Sequence, residues 1–207
     1  MSYEFMIGEQ VPRRGNALAR WLGTRLLARL GWRITGAFPD VPQAVVIGAP
    51  HTSNWDGVFG IAAVLALRLR ITLMGKDSLF RGPAGPVLRW LGLIPVDRRS
   101  AAGVVAQSVA KFHEKPQLLL GIAPEGTRKG ASEWKSGFYR IAVEAKVPIV
   151  VAVFDYGARE VRLPLTLYPS GDFDADMARI LACYRGVQPK RPARLSQPLR
   201  ETGNLER

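Results

Sequence analysis

From Pro39 onward, short apolar runs alternate with segments of helical periodicity. Ala44-Val45-Val46-Ile47-Gly48 is an uninterrupted apolar run, the pattern of a strand buried on both faces. Residues 57–69 predict a helix, 71–74 a strand, 83–91 a short helix opened by Pro83, 94–96 a short strand, and 101–112 a helix. Residues 118–122, 137–145 and 148–154 continue as strand, helix and strand. Residues 160–167 predict a hairpin strand at a sheet edge, because Pro164 has no N–H to give to a ladder. Residues 174–184 are expected as the last helix, and the chain from Arg185 onward, rich in Pro and Arg, as extended. This alternation predicts an α/β fold, with a largely parallel central sheet flanked by helices.

Before the alternation begins the pattern differs. Residues 1–15 read as a lead-in, and residues 16–34 as one helix with Gly23 and Gly31 as weak points. Leu22, Leu26, Leu27, Leu30 and Ile34 form an apolar sector, with Trp21 and Trp32 to one side and Arg25, Arg29 and Arg33 in a stripe. An interfacial membrane helix has this character. A packed surface helix whose arginine stems lie over apolar neighbours has it too. The organisation expected is a basic, membrane-associating helix in residues 1–38, an α/β domain in 39–185 and a Pro/Arg-rich tail in 186–207.

Composition narrows the picture. The 207 residues, 47% hydrophobic and 22% charged, suit one globular domain with its own core. The net charge of +12 points to an anionic partner: lipid, phosphorylated substrate or nucleic acid. A single cysteine, Cys183, excludes an internal disulfide, and with only two histidines, His51 and His113, no metal site is expected. No run approaches the ~18 apolar residues of a membrane span, and no secretory signal is apparent.

In a parallel sheet, ligands bind at the carboxyl ends of the strands. There the sequence places Pro50-His51-Thr52-Ser53-Asn54-Trp55-Asp56, then Gly75-Lys76, then Asp97-Arg98-Arg99, then Pro124-Glu125-Gly126-Thr127-Arg128. On one helix His51 and Asp56 would point ~140° apart. With His51 in a loop and Asp56 in the first helical turn, Asp56 can accept a hydrogen bond from His51 Nδ1, leaving Nε2 as a base. Ser53-x-x-Asp56 also fits a capping box, which requires no catalysis. Glu125–Arg128 reads either as a plain turn or as an anion and hydroxyl site. In the second reading Gly126 exposes backbone N–H groups, Thr127 and Arg128 bind phosphate oxygens, and Glu125 takes polyol hydroxyls. Lys76 and Arg98 alone are ordinary surface cations. Nucleophile-elbow, phosphate-loop and dinucleotide-binding motifs are absent from the sequence.

Together, His51-x-Ser53-x-x-Asp56, Gly75-Lys76-x-x-Leu79-Phe80 with Gly92-x-Ile94-x-Val96-Asp97-Arg98, Pro124-Glu125-Gly126-Thr127-Arg128 and Val147-Pro148-Ile149 occur in one order. In that order and spacing the chain resembles the glycerolipid, lysophosphatidate-type acyltransferase family with its H-x4-D motif. The resemblance implies His51 as general base oriented by Asp56. It implies acceptor phosphate and glycerol binding by Glu125, Gly126, Thr127, Arg128, Arg98 and Lys76. Pro50, Ala123 and Val151 depart from residues common in the family. The implied reaction moves a fatty acyl group from acyl-CoA or acyl carrier protein to a lysophospholipid such as 1-acylglycerol-3-phosphate, in phospholipid biosynthesis and without a further cofactor. It implies a cytoplasmic enzyme, peripheral on the inner face of an anionic membrane. The alternatives are a non-phosphate lyso-lipid acceptor and a basic nucleic-acid-binding module.

Overall fold

The strands send alternate side chains into two cores. A computed structural model of the chain describes residues 7–76, 80, 82, 83, 85, 86, 92–96 and 101–203. The strands are β1 (Arg33–Gly36), β2 (Gln43–Ala49), β3 (Ile71–Lys76), β4 (Leu93–Val96), β5 (Leu118–Ile122), β6 (Ile149–Asp155) and β7 (Glu160–Leu167). The helices are α1 (Ala17–Arg29), α2 (Asn54–Ala66), α3 (Ala101–Glu114), α4 (Gly137–Ala145), α5 (Phe173–Ala182) and α6 (Gln197–Arg200). Val45, Ile47 and Ala49 of β2 and Ile149, Val151 and Val153 of β6 face one core, with Phe138, Ile141 and Ile180 from α4 and α5. Ala44, Val46, Val150, Ala152 and Phe154 face the other, with Leu27 of α1 and Phe59, Ala62 and Ala63 of α2. The period of two along a strand buried on both sides produces this division.

The sheet order is β1-β7-β6-β2-β5-β3-β4. The five strands from β6 to β4 are mutually parallel, while β7 runs antiparallel to β6 and carries β1 parallel to itself. The α/β architecture with a largely parallel sheet and a preceding basic helix is therefore present.

Three expectations are corrected. The helix expected over 16–34 ends at Arg29: Leu30 caps it, Gly31 takes φ +71, and Arg33–Gly36 leaves as β1 to pair with β7. Gly31 provides the left-handed residue that turns the chain out of a helix. β7 is not at the edge, because β1 lies outside it. Pro164 is tolerated because β1 pairing stops at Leu163 and the β6–β7 register shifts between Val151 and Val153. Nor is the chain after Arg185 simply extended. It forms a 3₁₀ turn over Pro192–Arg194 and then α6, and it buries Val187, Leu195 and Leu199. The expected helix at 83–91 lies largely outside the described residues.

Gly23 is a contact point for α1 on α2. A Cβ there would come within 2.6 Å of Ala62 O and Ala66 N. The pair is antiparallel: Arg68, after α2, donates to Gly15 O before α1, while Trp32, after α1, stacks on Phe59 near the start of α2. Trp32 is thus a core residue and not a membrane-facing one.

Candidate active site

β2 occupies the middle of the sheet, and the loop after it sits between the ends of its neighbours β5 and β6. His51 lies in this loop, Glu125 follows β5 and Tyr156 follows β6. Sheet order alone brings together residues that are far apart in sequence.

Asp56 is 1% exposed, and both its carboxylate oxygens are engaged. Oδ2 accepts from the amides of Thr52 and Ser53, each at 2.7 Å, and Oδ1 accepts from the Tyr156 hydroxyl at 2.6 Å. Ser53 Oγ accepts from Trp55 N at 3.2 Å, and the reciprocal capping box is formed. The cap holds Asp56 in place. His51 Nδ1 lies 3.8 Å from Asp56 Oδ2. This is too long for the expected hydrogen bond, because the loop amides already fill that oxygen, and the carboxylate acts on the ring through its field alone.

Arg128 Nε donates to His51 Nε2 at 3.0 Å, and its Nη1 donates to Asn54 Oδ1 at 2.8 Å. Arginine is only a donor, so Nε2 carries a lone pair and the ring proton sits on Nδ1, facing Asp56. Glu125 grips the same residue from behind. Its Oε2 accepts from His51 N at 2.5 Å and its Oε1 from Ser196 Oγ at 2.8 Å, while Ser196 Oγ accepts from Trp134 Nε1 at 3.1 Å.

The electrostatics follow from these contacts. Burial lowers the His51 pKa below 6.5, the Asp56 charge opposes this, and Arg128 lowers it further. Burial pushes the Glu125 carboxyl up to about 7, with Asp56 adding to the rise and hydrogen bonds from Ser196 and His51 opposing it. Burial, then the hydrogen bond to Asp56 and its charge, hold the Tyr156 phenol well above its usual range. Tyr156 therefore remains a donor.

The Arg128 that bonds His51 also lines a cavity of about 200 Å³, together with Ser53, Asn54, Trp55, Arg191 and Arg194. Of the residues singled out in the sequence, His51, Asp56, Glu125 and Arg128 converge. Glu125 is 2% exposed with both oxygens taken by protein donors, so a polyol meets no free oxygen there. The Gly126 amide donates to Ala123 O within its turn, and Thr127, which is exposed, accepts from Lys129 N. Lys76 ends β3 at the same carboxyl edge, and Arg98 lies outside the described residues. Asn54, Tyr156, Ser196, Arg191 and Arg194 were not foreseen. Asn54 carried a signal by standing in the strand-end segment after β2, and Tyr156 as the first residue after a strand neighbouring β2.

Since protonated imidazole cannot act as a base, the low His51 pKa has a measurable consequence. In an NMR titration with His113→Asn as the assignment control, His51 is expected to titrate below pH 6.5. Arg128→Gln should raise its midpoint by removing a cation, and Asp56→Asn should lower it by removing an anion. A midpoint above 6.5 that ignores both changes would contradict this electrostatic arrangement.

Similarity to known proteins places this α/β sheet in a family. The Acyltransferase family model matches residues 33–155, and the chain belongs to this family. The 1-acyl-sn-glycerol-3-phosphate acyltransferase of Haemophilus influenzae is 30% identical over 152 residues, covering 69% of this chain and 61% of that protein. The human 1-acyl-sn-glycerol-3-phosphate acyltransferase beta is 32% identical over 114 residues, 53% of this chain and 40% of that protein. The chain thus spans roughly half the length of the curated relatives it matches. The crystal structure of the 1-acyl-sn-glycerophosphate acyltransferase from Thermotoga maritima superposes with a TM-score of 0.57 at 17% identity, covering 78% of this chain and 73% of that one. It shares the fold.

Proposed function

We propose that the protein transfers an acyl group from an acyl thioester to the hydroxyl of a lysophospholipid such as 1-acylglycerol-3-phosphate. The observation that carries this reading is the unprotonated Nε2 of His51, which is bonded to Arg128 beside the cavity and backed by the buried Asp56. The relatives' names and the family membership support it.

The acceptor hydroxyl takes the place of Arg128 at Nε2. Nε2 removes its proton, and the oxygen adds to the thioester carbonyl carbon. The C–S bond then breaks, and the thiolate leaves with the electron pair and takes the proton back from the imidazolium. Asp56 stabilises the imidazolium through its charge. A thiol with a pKa of about 8.5 departs readily, so no strong general acid is needed, and the donor is acyl-CoA or acyl carrier protein. The test is product analysis by mass spectrometry, with purified protein, a labelled acyl thioester and a panel of lysolipids with and without phosphate. Labelled diacyl phosphate product supports the reading. Thioester consumption without any acylated lipid would overturn it.

Such a protein works on a lipid surface, and among the described residues no helix is long and apolar enough to cross a membrane. Docking falls to the α1/α2 pair. Leu18, Trp21, Leu22 and Leu26 on α1 are exposed, as are Trp55 and Val58 at the start of α2, where Trp55 also lines the cavity. Arg25 and Arg29 share the exposed face of α1, with Arg25 over the Trp21 ring. Arg33 does not belong to this set, because Glu160 binds its guanidinium. With about 1 kcal/mol per arginine at an anionic surface, the Arg25→Gln, Arg29→Gln double variant is expected to bind anionic vesicles about 30-fold more weakly. Raising salt to 1 M, where the Debye length falls to ~3 Å, should release the wild type similarly. Equal sedimentation of both proteins with anionic vesicles would remove α1 as the anchor.

A further inference from the structure

The family match ends at residue 155, yet the site does not. The segment after α5 returns across the carboxyl edge of the sheet and is tied to the active-site loops. Tyr156 N donates to Gln188 O, Arg191 N to Thr52 Oγ1, and Gln197 N to Ala131 O. Ser196, fully buried, is the hydroxyl that holds Glu125. Leu195 and Leu199 anchor the segment in the core, and Arg200 braces it by donating to the carbonyls of Ala193 and Leu195.

This return places Arg191 and Arg194 in the wall of the cavity that Arg128 lines. None of its lining residues is acidic. Among the described residues neither Arg191 nor Arg194 has a carboxylate partner, and the Arg128 guanidinium is held only by the neutral His51 ring and Asn54. Three arginines lining about 200 Å³, with no acidic residue beside them in the lining, leave an unbalanced positive field. The volume suits a headgroup rather than a whole lipid. A doubly charged ligand with several oxygens spread over a tetrahedron can take forks from three directions, which a single carboxylate cannot.

We propose that Arg191 and Arg194, supplied by the C-terminal segment, complete with Arg128 a subsite for a phosphate monoester. The choice of substrates that deliver this group rests on the acyl-transfer reading, and binding of the group itself does not. Two sources have this chemistry: the headgroup phosphate of the acceptor and the 3′-phosphate of a coenzyme A donor. Occupation also draws Arg128 off His51, so the same anion that fills the cavity frees Nε2 for the hydroxyl.

The experiment uses the full chain and the variants Arg191→Gln, Arg194→Gln and both together. Binding is read first without turnover, as the rise in melting temperature with glycerol 3-phosphate and with inorganic phosphate. The wild type is expected to be stabilised, and the double variant to need at least about tenfold more of either anion, as loss of charge-assisted contacts requires. Arg194→Lys, which keeps the charge and loses the fork, should fall between them. Steady-state kinetics then identify the source. If the acceptor supplies the phosphate, the double variant raises KM for lysophosphatidate about tenfold or more relative to 1-monoacylglycerol. If the donor supplies it, KM for acyl-CoA rises by the same factor relative to acyl-pantetheine. Equal anion binding by wild type and double variant overturns the subsite whatever the kinetics show. Lost anion binding in a protein that transfers no acyl group upholds the subsite and refutes the acyl-transfer reading instead.

Discussion

His51→Ala is expected to lower kcat by about 10²–10⁴-fold, the usual contribution of a positioned general base. The structure concentrates three kinds of restraint on this residue. Glu125 fixes its backbone, Asp56 faces Nδ1, and Arg128 marks Nε2 as the lone-pair nitrogen. Burial keeps the ring neutral at physiological pH. Among the described residues the imidazole's hydrogen bond is to the exposed Arg128, so its removal should change the melting temperature little. The fall belongs in kcat, with a smaller change in KM for either substrate, because the proton is transferred only as the hydroxyl attacks. Retention of more than about a tenth of wild-type turnover by a well-folded His51→Ala protein would falsify the role of this histidine as base.

Asp56 should separate into an electrostatic and a structural effect. Asp56→Asn can keep the cap, since the amide oxygen can accept from Thr52 and Ser53 while its NH₂ turns to the Tyr156 oxygen. What it loses is the anion 3.8 Å from Nδ1. At an effective dielectric constant near 20, unit charges at this range attract by about 4 kcal/mol, which is about 10³-fold in rate if all of it acts on the imidazolium. A drop in kcat of about 10²–10³-fold with near-normal stability is expected. Asp56→Ala removes the acceptor and leaves two loop amides and a half-buried phenol unpaired. At about 1–3 kcal/mol for a buried unsatisfied group, this variant should also unfold at markedly lower denaturant. Denaturation and turnover measured on both variants check the separation. If Asn proves as unstable as Ala, Asp56 is mainly a cap. If Asn is stable and fully active, its charge plays no part.

Local patterns in the sequence carried much of the architecture. The run Ala44–Gly48 forms the expected strand buried on both faces, within β2, and residues 118–122 and 137–145 form the expected elements. Ser53-x-x-Asp56 announced its own cap, because the partners of a capping box lie within one turn. His51 and Asp56 were legible for the same reason. Arg128 and Glu125 were legible as strand-end residues, although their attachments were not. Glu125, expected to face a polyol, instead holds the His51 backbone, because Ser196 and the loop after β2 reach it first.

What the sequence determined by itself was the alternation of elements, the cap, the family resemblance and the excess of positive charge, all properties of neighbours along the chain. Only the tertiary structure decided the rest, because contacts between distant segments obey no local period. Arg33 and Ile34 continue a helical pattern, but they leave it as a strand because β7 offers a ladder 127 residues away. Trp32, apolar beside a basic helix, is claimed by the core through Phe59 and Tyr156. Tyr156 reaches Asp56 because β6 happens to lie beside β2. Arg191 and Arg194, ordinary cations in a Pro-rich stretch, become cavity residues only once Leu195 and Leu199 have been drawn into the core.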